Sequence, residues 1–97
     1  MNKDYIETPT IGEIIREEFL EPLHITRYRL SKELNVSTST ILDLLHNKRK
    51  FSVEMALRLS KYFRNSYKFW LNLQNELEIR KAQKKISKEL EKIHTYA

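Results

Sequence analysis

Apolar residues in this chain recur at steps of three and four from Ile11 almost to the end, and nowhere do they alternate as a strand requires. Ile14, Ile15, Phe19 and Leu20 predict a first helix from about Ile11 or Gly12 to Leu20, stopped by Pro22. Leu30 and Leu34 mark a short second helix capped by Thr26, and Ile41, Leu44 and Leu45 mark a third capped by Ser37. Ala56, Leu59 and Phe63 share one face of a fourth helix that starts at Val53 behind Ser52. Phe69, Trp70, Leu73 and Leu77 form the apolar stripe of a fifth, which starts at Tyr67 behind Ser66. The stripe then runs on through Ile79, Ala82, Ile86, Leu90 and Ile93 with nothing to break it. The expectation is an all-α fold of five helices, the last continuing into an amphipathic extension and so reaching about twice the usual helix length.

The second and third helices are separated only by Asn35, Val36 and Ser37. Two short helices across so tight a turn read as a helix-turn-helix. The turn requires Asn35 to adopt the left-handed conformation, which Asn tolerates best among residues with a side chain. A second helix of this kind fits the roughly 12 Å wide major groove of DNA. Ser37, Thr38, Ser39, Thr40 and Asp43 would then face the duplex. His46 to Lys50 follows as a basic loop, with Asn47 as a left-handed helix stop.

Charge supports a polyanion partner. The net charge is +5, but residues 1–25 hold two basic and six acidic groups, while the rest hold sixteen basic and seven acidic. A basic body suits DNA. An acidic first helix does not, so Glu13, Glu17 and Glu21 point either to solvent or toward a basic protein. The bland reading is that acids favour the first turns of any helix. With no Cys, disulfides and thiolate metal sites are excluded. Neither a signal peptide nor a span of membrane length is evident, so a cytoplasmic protein without membrane contact is the simplest expectation.

Catalysis has little support. A single Gly forbids a glycine-rich phosphate loop. His24, His46 and His94 are scattered without metal-ligand spacing, so no metal, cofactor, catalytic residue or small-molecule substrate is expected. Asp43 and His46 lie one helical turn apart and read as a surface pair. Phe69 and Trp70 could stack on single-stranded bases, but an aromatic pair at helical spacing is more often core or interface.

Three segments together carry a family resemblance. They are Gly12-Glu13-Ile14-Ile15 with Glu17-Glu18-Phe19-Leu20-Glu21-Pro22-Leu23, the helix-turn-helix, and Phe69-Trp70-Leu71-Asn72-Leu73-Gln74. Over residues 10–82 the chain resembles the HigA family of antitoxins, in the Cro/repressor-like helix-turn-helix class. The helix-turn-helix alone is shared widely, and the outer segments are the specific part. Members often carry His-Pro before the Gly, where this chain has Thr10-Ile11, and Pro-Glu before Phe-Trp, where it has Tyr67-Lys68. Glycines usual at three helix ends are here Asn35, Asn47 and Arg64.

The resemblance implies a homodimer that binds palindromic operator DNA, represses its own operon and neutralises a HigB-like mRNA-cleaving toxin. Thr38, Ser39 and Asp43 match the base-reading positions. Hydroxyls discriminate weakly, so DNA shape should carry a sizeable share of specificity. Arg27, Lys48, Arg49 and Lys50, with the backbone amides at Ser37 and Thr38, are the expected phosphate contacts; the bland alternative for Lys48–Lys50 is a solvated loop. Phe69, Trp70, Leu73 and Leu77 are the expected dimer interface, and Glu13, Glu17 and Glu21 the expected toxin surface. The organisation expected is a flexible arm over 1–10, a DNA-binding domain over 11–79 with its dimerisation helix from 67, and a basic amphipathic tail over 80–97. The alternatives are a stand-alone regulator without a toxin, or a protein-interaction module that has lost DNA binding.

Overall fold

Five hydroxyl side chains decide where the main helices begin. Thr10, Thr26, Ser37, Ser52 and Ser66 each accept a hydrogen bond from a backbone amide of the first turn behind them. Those amides have no partner inside the helix, so the caps satisfy donors that would otherwise be orphaned. The computed structural model describes residues 8–96. In it α1 covers residues 11–23, α2 is Arg27–Leu34, α3 is Thr38–Leu45, α4 is Val53–Phe63, α5 is Tyr67–Lys85 and α6 is Ser87–Glu91. No strand occurs among the described residues, and none of their helices is long and apolar enough to cross a membrane. The flexible arm expected over residues 1–10 lies mostly outside the described residues, but Thr10 itself is ordered as the cap of α1.

The first four helices end by one device. His24, Asn35, Asn47 and Arg64 all take positive φ, between 57° and 60°. After each, the next amide reaches back five residues, as in Val36 N–H to Ser31 O at 3.0 Å and Lys48 N–H to Asp43 O at 2.8 Å. This Schellman pattern covers carbonyls at the helix end. The two Asn residues were expected there. Arg64 adopts the same conformation although its Cβ makes it costlier, so the chain accepts strain at this stop.

Pro22 does not stop α1, contrary to the sequence expectation. The helix passes through it to Leu23 and ends at His24. Residues Ile15–Leu20 form a π-type turn, and the Glu21 amide bonds Arg16 O, five residues back. The widened turn ends just before Pro22, which sits in the first turn of the segment behind it and needs no amide donor there. The extra residue also keeps Ile15 and Leu20, five apart, both in the core.

The core is built from all five main helices. Ile15, Leu30, Ile41, Leu44, Leu59 and Trp70 are the largest fully buried apolar side chains. Phe19 of α1, Phe63 of α4 and Trp70 of α5 meet with ring centroids 4.8–6.0 Å apart. Trp70 Nε1 donates to Asn65 Oδ1 at 2.8 Å, so the indole is buried without an orphan donor.

The last helix is not continuous either. Ile86 leaves the helical region, with φ −113° and ψ 23°, and α6 starts afresh at Ser87. Ser87 Oγ reaches Lys84 O at 3.5 Å, a local bond of the kind that competes with a helical backbone. From Glu78 to Tyr96 every side chain is exposed, so the apolar stripe there is not covered by the chain's own body.

Candidate nucleic-acid interface

The helix-turn-helix is held in place from three directions. Within it, Ser31 Oγ lies 3.4 Å from Thr38 Oγ1 and bonds Tyr28 O at 2.6 Å, tying α2 to the start of α3. From α4, Arg58 donates to Leu34 O at 2.6 Å and Asn35 O at 3.4 Å, and pairs with Glu54 at 2.9 Å. Arg58 therefore satisfies the carbonyls where α2 enters the turn, as a cation at a helix C-terminus does well. The third support is α1. A Cβ built on Gly12 would lie 2.3 Å from Leu45 O and 2.9 Å from Leu44 O, so only glycine lets α1 touch the end of α3.

Asn47 joins the same two helices through its side chain. Its Oδ1 accepts from Gly12 N–H at 3.0 Å, and its Nδ2 donates to Thr10 Oγ1 at 2.8 Å. Thr10 and Glu13 form a reciprocal capping box beside it. The Thr10 backbone N–H, at 2.8 Å, and then its hydroxyl hold the Glu13 carboxyl below the usual glutamate range.

On the outer side of α3, Ser37, Ser39 and Thr40 form a hydroxyl cluster, with Ser37 Oγ 3.1 Å from Ser39 Oγ and 2.8 Å from Thr40 Oγ1. Ser37, Thr38 and Ser39 are exposed, while Ile41, Leu44 and Leu45 are buried behind them. Asp43 is half-buried, and its Oδ2 lies 3.5 Å from Arg49 Nη2. An expected base reader and an expected phosphate contact are thus paired with each other. The pairing offsets the repulsion that Asp43 alone would exert on a phosphate and holds Arg49 over the helix. Arg27, Lys48 and Lys50 are exposed and make no ion pair among the described residues. The face offers small hydroxyls in the centre and cations at its rim, chemistry suited to a polyanion with a shallow pattern of acceptors.

A helix-turn-helix family model matches residues 15–70. The Pseudomonas aeruginosa antitoxin HigA, solved with the higBA promoter, superposes with a TM-score of 0.84 at 35% identity, covering 94% of this chain and 100% of that one. The chain belongs to the HigA family of helix-turn-helix proteins. The antitoxin GraA in complex with its operator superposes with a TM-score of 0.83 at 31% identity, over 100% of this chain and 99% of that one. In sequence, an HTH-type transcriptional regulator of Haemophilus influenzae is 39% identical over 70 residues, which span 72% of this chain but 65% of the regulator.

In this HigA-family chain the four residues expected at a dimer interface separate into two groups. Trp70 and Leu77 are buried by their own chain, so they cannot also offer that surface to a partner. Leu73 is half-buried and Phe69 keeps 43% of its surface exposed. Of the acidic residues, Glu17 and Glu21 are exposed and Glu13 is committed to the cap. Gly12, Asn47 and Arg58 position the site and were missed as such. From the sequence Asn47 reads only as a helix stop, and nothing there singles out Arg58.

Proposed function

We propose that this HigA-family chain is an operator-binding repressor of its own operon and the antitoxin of a HigB-like, RNA-cleaving toxin. The observation that carries the reading is the exposed face of α3, with Ser37, Thr38 and Ser39 at its start and the Arg49–Asp43 pair, Lys48 and Lys50 at its end. Thr38 and Ser39 contact base edges, while Arg27, Lys48, Lys50 and the amides at Ser37 and Thr38 hold phosphates. Arg49 takes a phosphate from the position that Asp43 gives it. A two-fold dimer presents two such faces about 34 Å apart, in successive major grooves of a palindromic site. Residues 11–79 serve as the operator-binding unit. Phe69 and Leu73 are the members of the expected interface with surface left for a second copy.

Toxin binding uses a separate surface, the exposed acids Glu17 and Glu21 of α1, because an RNA-cleaving partner is basic. The test is retention of DNA from the region upstream of the coding sequence, together with co-purification with the product of the neighbouring reading frame. Salt-sensitive, sequence-dependent retention and a co-purified small basic protein are expected. Retention without co-purification reduces the protein to a stand-alone regulator. Absence of retention at low salt overturns the operator reading.

A further inference from the structure

One face of α5 changes character along its length. Through Trp70 and Leu77 that face is buried against the body. Four, seven and eight residues beyond Leu77 it carries Lys81, Lys84 and Lys85. Ile79 falls on the opposite side of the helix. The first of these cations lies where the helix passes the loop behind α3. There Lys81 lines one concavity of about 520 Å³ with Lys48, Arg49 and Lys50. The single carboxylate among its lining residues, Glu78, accepts a hydrogen bond from Gln74 Nε2 at 2.5 Å. None of Lys48, Lys50, Lys81, Lys84 and Lys85 has an ion pair among the described residues.

We propose that Lys81, Lys84 and Lys85 grip the phosphate backbone of DNA flanking the operator core, beyond the phosphates held by the Lys48–Lys50 loop. The proposal rests on the operator-binding reading. Continuity favours DNA over an acidic protein, since the same concavity joins the helix to the loop that follows the recognition helix. Reach favours it too. The molecule measures 51 × 36 × 22 Å, elongated for its size, and the exposed end of α5 stands clear of the core. Clustered cations that outnumber their single acidic neighbour, Glu78, draw a polyanion and gain by releasing its counterions.

The test uses two duplexes. One is the upstream fragment trimmed to its protected core, and the other adds about one helical turn on each side. For the intact protein the longer duplex should bind more tightly. Its plot of log K against log salt should be steeper by about 0.9 per added contact, or about 3.5-fold in affinity per contact between 50 and 200 mM salt. The variant Lys81→Gln/Lys84→Gln/Lys85→Gln should lose that advantage while binding the short duplex as before. Circular dichroism checks that α5 stays helical. Equal losses on both duplexes would show a general field effect and overturn the proposal, as would an intact protein indifferent to the flanks. Binding to neither duplex would overturn the operator reading first, so the two failures are distinguishable.

Discussion

Replacing Gly12 with Ala tests how α1 supports the recognition helix. The added Cβ would sit 2.3 Å from Leu45 O, 2.7 Å from Leu45 C and 2.9 Å from Leu44 O. Carbon needs ~3.5 Å from such atoms, so the two backbones must separate by about 1 Å. All three obstacles are main chain and cannot swing aside. A shift of that size also breaks the 3.0 Å bond from Gly12 N–H to Asn47 Oδ1. Overpacking costs about 1–3 kcal/mol and the lost hydrogen bond about 1 kcal/mol. Against these, Ala is better than Gly inside a helix by about 1 kcal/mol. The net expectation is a loss of about 1–3 kcal/mol, read as a lower denaturant midpoint with an unchanged slope. Combining Gly12→Ala with Asn47→Ala should cost less than the two alone added together, because the first change already breaks a bond that the second removes. A neutral or stabilised Gly12→Ala protein, or strict additivity, would refute the close approach.

Arg64→Gly should stabilise the fold by about 1 kcal/mol, since it relieves a left-handed residue that has a Cβ; a lower melting temperature would show that the Arg64 side chain contributes more than the strain removes. Arg58→Ala leaves the carbonyls of Leu34 and Asn35 without their guanidinium donor and should cost about 1–2 kcal/mol. Hydrogen exchange should then quicken at Val36 and Ser37 beyond the global change, whereas uniform acceleration would place the role of Arg58 elsewhere. Glu13 should titrate below an ordinary glutamate, because Thr10 hydrogen-bonds its charged form. The stability it adds is present above the unfolded carboxyl range and is lost as pH falls through its lowered folded value. An NMR titration with an unshifted Glu13 midpoint would contradict the capping box.

What could be read along the chain was local. A hydroxyl caps the amides two or three residues behind it, and apolar residues three and four apart share a helix face. The starts of α2 to α5, the inward set Ile41, Leu44 and Leu45, and the left-handed Asn35 and Asn47 followed from those rules. Pro22 and Ile86 escaped them. At Pro22 a change of helical register removed the conflict that a proline normally creates, and at Ile86 no breaker residue announced the gap.

By itself, then, the sequence determined five helices, four of them with their caps, a helix-turn-helix with hydroxyls outward, a basic loop behind it, and the family to which these belong. Only the tertiary structure decided how they are held. Asn47 bonds Gly12 across 35 positions and Arg58 bonds Leu34 across 24, separations over which no periodicity runs. It also decided that Trp70 and Leu77 are core while Phe69 keeps an exposed surface, because burial depends on which elements fold over a stripe and not on the stripe. The same reason brings Lys81 and Lys48 to one concavity: a helix face is set by local spacing, but what it passes is set by packing.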